Sequence, residues 1–209
     1  MAIIVHGITT MTTTNTAAPS VTRPRQYRFT VADYYRMATA GVFGPDERLE
    51  LLNGEVFEMS PIGQTHAALV DRINEWLVSS LQGKAIVRVQ NPLPISKFSE
   101  PVPDFSIVRR REDYYADGKP GPADVLWLIE VSDSTLVMDR DVKLPLYARA
   151  KIAEVWIIDV QGRTIEVYSE PRSNGTYALH RTLRGNERIA PVALSSMTTT
   201  FRKLTGLTD

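Results

Sequence analysis

Between Val125 and Val131 the chain reads VLWLIEV, a run that is apolar except for one carboxylate. Aliphatic and aromatic residues without polar alternation describe a strand buried on both faces, central in a sheet covered on two sides. Such a strand excludes a helical bundle and an open sheet with a wet face. It calls for an α/β or α+β layering around a mixed sheet. Alternation places Glu130 with Leu126, Leu128 and Ser132, opposite Val125, Trp127, Ile129 and Val131. An ionised carboxylate buried without partners is very costly. Glu130 is therefore either a structural acid paired to an arginine or a member of a functional site.

The remaining segments supply the layers. Thr30 and Asp33 form a capping box with the shorter acid and open VADYYRMATA as a short helix. RLELLNGEVFEM reads as a hairpin about Asn53-Gly54. HAALVDRINEWLVSSL has Leu69, Ile73, Trp76 and Leu77 at helical spacing and is closed by Gly83. KAIVRVQ and PVPDFSIV are strands before the central run, and EVWIIDV, RTIEVYS and GTYALHRTLR are strands after it. DRDVKLPLYARA is helical, with Pro145 tolerable in a first turn and Lys143 near the helix N-terminus. Residues 1–24, rich in Thr, Ala and Ser, are expected to be a flexible tail ahead of a single domain over 25–209, and Met11 is as good a start as Met1.

Chemistry concentrates near the central strand. Asp104 follows a proline at a strand start, where an acid is often only a turn residue. With Glu130 on an adjacent strand, however, it makes a two-carboxylate metal site. Glu50 lies between Leu49 and Leu51 and is either a third carboxylate or part of a solvated hairpin face with Leu52, Glu55 and Glu58. His66 opens the long helix as a hydrogen-bonding group or a second-rank metal ligand. Lys143, 13 residues after Glu130, can fold back over the strand end. Water attack on a phosphodiester needs an activated water and a cation to balance transition-state charge, which two acids and a lysine can meet.

The chain has no cysteine, so a thiolate nucleophile and a Cys-ligated zinc are excluded and any metal sits on oxygen or imidazole. The formal net charge is zero, which argues against coating nucleic acid by bulk electrostatics. Without a basic start before Arg23 or an apolar run of membrane length, a cytoplasmic protein with no membrane partner is expected.

RLELLNGEVFEMSPIGQTH, VPDFSIV and LWLIEVSDSTLVMDRDVKLPLYARAKIAEVWIID together resemble the Uma-type restriction-endonuclease family, whose members are similar to the PD-(D/E)xK nuclease fold. The resemblance runs from Tyr27 to the C-terminus. It implies a restriction-endonuclease-like mixed sheet flanked by helices with a leading hairpin. It implies Pro103-Asp104 as the first half-motif, Glu130 as the second acid and Glu50 as the additional acid. The lysine normally two residues after the second acid is Ser132 here, and the family pattern supplies Lys143 from the following helix instead. The implied activity is metal-dependent DNA cleavage. Asp104, Glu130, Glu50 and Lys143 would be catalytic, and Mg²⁺ or Mn²⁺ would be held by Asp104, Glu130 and Glu50, with His66 a lesser candidate. Arg109, Arg110, Arg111, Arg181, Arg184 and Arg188 are phosphate-contact candidates, and a homodimer is an assembly to test. The alternatives are a non-catalytic nucleic-acid-binding or regulatory protein on the same fold, and a metal-dependent hydrolase of another substrate.

Overall fold

The computed structural model describes residues 26–207, so the tail expected over 1–24 lies outside the described residues. In chain order the elements are α1 (Val31–Thr39), β1 (Leu49–Leu52), β2 (Glu55–Glu58), α2 (Gln64–Leu81), β3 (Ala85–Val89), β4 (Phe105–Arg109) and β5 (Val125–Ser132). A π-helical turn (Met138–Lys143) then runs into α3 (Leu144–Arg149), followed by β6 (Glu154–Asp159), β7 (Thr164–Pro171), β8 (Tyr177–Arg184) and α4 (Phe201–Thr205). The strands β3 to β8 form one six-stranded sheet in sequence order, separate from the β1–β2 hairpin. Only β5 and β6 pair in parallel, joined by the crossover through the π turn and α3. A parallel pair needs such a crossover.

Each face of the sheet has its own core. On one, Leu69, Ile73, Trp76 and Leu77 of α2 meet Ile107, Trp127, Ile129, Trp156 and the α4 residues Phe201 and Leu204. Trp156 lies between Trp76 and Trp127, with ring centroids 6.4 and 6.3 Å away. On the other, Leu52, Leu128, Tyr147, Ile152 and Ile157 bury α3 and the hairpin. The central run is thus covered on both sides, as its composition requires.

The alternation expected along β5 holds from Trp127 to Ser132 and reverses before it. Val125 packs in the core beneath α3, whereas Leu126 lies against the α2 side. The cause is a bulge: Ile107 pairs with Trp127 but Val108 pairs with Val125. One extra residue turns every side chain behind it to the other face.

The capping box at α1 is present, with Thr30 Oγ1 accepting from the Asp33 N–H at 3.1 Å and Asp33 accepting from the Thr30 N–H at 2.9 Å. The C-terminal stretch adds α4, which carries no strong sequence signal. In the hairpin, Asn53 and Gly54 have φ of 53° and 85°, the left-handed pair that a two-residue turn with the right twist demands. A Cβ on Gly54 would stand 2.6 Å from Arg28 Cβ. Gly54→Ala should therefore cost about 1–3 kcal/mol through strain and overlap, lowering the melting temperature by roughly 2–10 °C in a thermal unfolding measurement.

Candidate active site

The antiparallel and parallel pairings bring the end of β3, the start of β4 and the end of β5 to one edge of the sheet. The chain arriving at β4 first pairs with the hairpin: Glu100 N–H donates to Leu51 O at 2.7 Å, and Val102 N–H donates to Glu50 Oε2 at 3.0 Å. Glu50 is consequently tied to the segment that leads into Asp104 and is buried. The solvated-face reading of this hairpin does not hold for Glu50 or Leu52, because segment 99–102 and the α3 layer cover them.

Lys143 is the centre of the cluster. Its Nζ lies 3.3 Å from Glu50 Oε2, 3.5 Å from Glu130 Oε1 and 3.7 Å from Asp139 Oδ1. Glu130 is thus paired with a lysine, not an arginine. Tyr147 Oη donates to Glu130 Oε1 at 2.5 Å, and the Asp104 N–H donates to Glu130 Oε2 at 3.2 Å. Burial pushes the Glu130 carboxyl up to about 8, against the pull of Lys143. Lys143, despite a burial that opposes its charge, is held in the ammonium form by Glu130, Glu50 and Asp139.

The lysine reaches this spot through the π turn. Leu144 N–H bonds to Asp139 O, five residues back, and Pro145 follows within the first turn of α3. Proline brings no N–H and crowds the carbonyl four residues before it, and a widened turn ahead of it relieves that crowding. Asp139, missed in the sequence, sits on the same turn, its Oδ2 accepting from Ser132 Oγ and Thr135 Oγ1 at 2.7 Å each. The four-residue spacing of Asp139, Lys143 and Tyr147 was its available signal, since residues so spaced share a helix face.

Asp104 anchors the other side. Its Oδ2 accepts from Val131 N–H at 2.8 Å, and its Oδ1 lies 3.0 Å from both Gln90 Nε2 and His66 Nε2. Burial would raise the Asp104 carboxyl, but the hydrogen bond and charge of His66, with Gln90 and Val131, outweigh it and leave it below the usual range. The hydrogen bond to Asp104 raises His66 above its ordinary value. His66 is therefore no isolated helix-end group. Gln90, in a left-handed conformation at the end of β3, carried no sequence signal.

Asp104, Glu130, Glu50, His66 and Lys143 all line one cleft of about 470 Å³. The 18-residue helix α2 begins on its wall, with Gly63 as N-cap and no acid in the first turn, so a positive helix end lies there. Among the described residues, no three His, Asp or Glu side chains stand ready to enclose a metal ion. The donors that line the cleft are of the kind a hard cation takes, carboxyl oxygens of Asp104, Glu130, Glu50 and Asp139 and one imidazole, and Glu130 would give up its proton to bind one. Mg²⁺ takes one or two carboxylates and keeps its waters for phosphate to replace.

The basic clusters lie elsewhere. Arg109, Arg110 and Arg111 leave β4 at its far end from Asp104, roughly 17 Å along the strand at 3.3–3.4 Å per residue, where Arg110 bonds Tyr114 and Arg111 pairs with Asp113. Arg184 is at the site end but on β8, an edge strand three places from β5, and donates to Gly162 O at 3.0 Å. Arg181 and Arg188 are exposed and do not line the cleft. Arg48, half-buried, does line it.

A family model described as "Uma2: Putative restriction endonuclease" matches residues 31–202. No curated protein matches the chain. Among solved structures, the chain is similar to a protein from Anabaena variabilis described as a "putative nuclease belonging to DUF820", with a TM-score of 0.64 at 16% identity, covering 85% of this chain and 98% of that one. At that identity the likeness is one of fold. No helix among the described residues is long and apolar enough to cross a membrane.

Two outcomes follow from the charges. Lys143→Ala leaves buried carboxylates uncompensated and should cost about 3–5 kcal/mol of stability. Because the variant holds the Glu130 proton more tightly than the parent, the loss should deepen as pH rises past about 8, which melting temperatures at pH 7 and 9 will read. An NMR titration should find His66 raised, and Asp104→Asn should remove the rise. The stability that His66 gains is present below its unfolded value and is lost as pH climbs through its folded one. The share from Asp104 is lost at the acid end, as pH falls through its depressed value.

Proposed function

The chain belongs to the Uma2 family, and from the site it carries we propose that it is a Mg²⁺- or Mn²⁺-dependent DNA endonuclease. The observation that carries this reading is the convergence of Glu50, Asp104, Glu130 and Lys143 on one cleft from four separate segments of the chain. Asp104 and Glu130 are the residues that would hold the cation, with Glu50 assisting directly or through water. When bound, the cation supplies water activation and neutralises phosphate charge.

The protein's own groups set up that chemistry. The Val131 N–H, Gln90 and His66 fix the Asp104 carboxylate in one orientation. Tyr147 and Lys143 do the same for Glu130. Lys143 supplies the positive charge that the missing lysine at position 132 would have brought, from a different backbone position and with its ammonium already beside the acids. Ser132, standing in that place, supports Asp139 instead. His66 beside Asp104 is a group that can take up or release a proton at the cleft wall.

Purified protein should cut DNA in Mg²⁺ or Mn²⁺ and not in EDTA, and Asp104→Asn and Glu130→Ala should each abolish the cutting. Lys143→Ala should lower the rate by about 10²–10³, by analogy with loss of a transition-state donor, and Lys143→Arg should rescue poorly. Adding Ser132→Lys to the Lys143→Ala background should restore part of the activity. DNA binding without metal-dependent cutting would favour a non-catalytic nucleic-acid-binding role on this fold.

A further inference from the structure

The cleft joins two unlike environments. Its floor is polar and buried, with Glu130 at 2% and Asp104 at 9% exposure. Its rim carries two exposed apolar side chains among polar ones such as Ser60 and Ser134: Ile62, at 47%, comes from the loop between β2 and α2, and Val137, at 72%, comes from the helical turn that leads into the π turn. Met59 and Met138 continue the two lips inward. A lone apolar residue on a surface needs no explanation. Two that line the same acid-floored cleft from separate segments of the chain describe a slot for something apolar attached to something anionic.

Resting on the nuclease reading, we propose that the cleft takes one unpaired nucleotide and that the protein acts on single-stranded DNA or unpaired ends in preference to intact duplex. A phosphate brought to the buried acids of the floor carries its sugar and base to the rim, where Ile62 and Val137 stand exposed. In a duplex the bases are paired inward and stacked, so apolar lips would meet only sugar and phosphate. An unpaired nucleotide offers the base itself, with an apolar face that is tolerant of sequence. Methionine is well suited to such a contact through its polarisable sulfur. The volume of about 470 Å³ falls in the range of pockets that enclose one small molecule. The basic residues Arg109–Arg111, which would track a long duplex, lie away from the cleft.

The test is binding, read separately from cutting. Fluorescence anisotropy with a labelled single strand, the same strand in a blunt duplex, and the strand carrying abasic sites should be measured in Ca²⁺ and in EDTA. The intact single strand should bind at least about tenfold more tightly than the duplex or the abasic strand, in line with base-stacking contributions at single-strand sites. Ile62→Ser with Val137→Ser should remove that preference while leaving the melting temperature unchanged, since both side chains are exposed. Equal or tighter duplex binding, indifference to the missing bases, unaltered preference in the lip variant, or no binding to any DNA would each overturn the proposal. Single-strand preference without cutting in Mn²⁺ would uphold the seating of an unpaired nucleotide in the cleft and overturn the nuclease reading, with the action on single strands that rests on it. Cutting of duplex as fast as single strand would uphold the nuclease reading and overturn this one.

Discussion

The ammonium of Lys143 is the charge around which this half of the molecule is assembled. It faces Glu50 from the hairpin, Glu130 from the central strand and Asp139 from the π turn. Three acids cannot share a buried volume as bare carboxylates, since each loses its hydration and repels the others; the ammonium offsets part of that cost, and Glu130, raised to about 8, keeps its proton at neutral pH. The hairpin makes no strand pairing with the six-stranded sheet. Its attachment runs through the Leu51–Glu100 bridge, the burial of Leu52 and this ion cluster. A single side chain therefore couples the docking of the hairpin to the geometry of the acids.

That coupling explains two departures from the simplest arrangement of such a site. A lysine two residues after Glu130 would rise from the same strand face as the acid. Ser132 occupies that place, and its hydroxyl steadies Asp139, one of the three acids around Lys143. The widened turn before Pro145 then directs Lys143 back onto the strand end. A π turn next to a functional group is a recurring device, because it changes where a helix aims its side chains without ending the helix.

The opposite wall depends on α2. Its amphipathic face buries Leu69, Ile73, Trp76 and Leu77 against the sheet, and this packing carries the helix start, with His66, to the mouth of the cleft. His66 and Asp104 then raise and lower each other's proton affinities in the expected opposite senses. The packing of α2 and the protonation of the cleft are in this way one problem. The family match over residues 31–202 spans both walls.

Much of this was legible in the residues. VLWLIEV pointed to a strand buried on both faces, because a short apolar run rich in β-branched and aromatic residues suits a covered sheet. Asn53-Gly54 dictated the hairpin turn, and the helical spacing of Leu69 to Leu77 dictated α2. Glu130 was marked as a site residue by the cost of burying it, and the resemblance brought Asp104, Glu50 and Lys143 beside it. What the sequence could not decide were relations between segments. Whether Glu50 met water or Lys143 depended on segment 99–102 covering β1. The bulge at Leu126 followed from pairing with β4, which local alternation does not contain. Asp139 and Tyr147 entered the site only once the parallel crossover and the π turn had set their directions, and Gln90 only once β3 had paired with β4. Short-range signals are steric and solvation preferences of a few neighbouring residues, and they survive in isolation. The balance of one ammonium against three buried acids, one of which holds its proton at neutral pH, exists only when distant parts of the chain are packed together, and so the tertiary structure alone decides it.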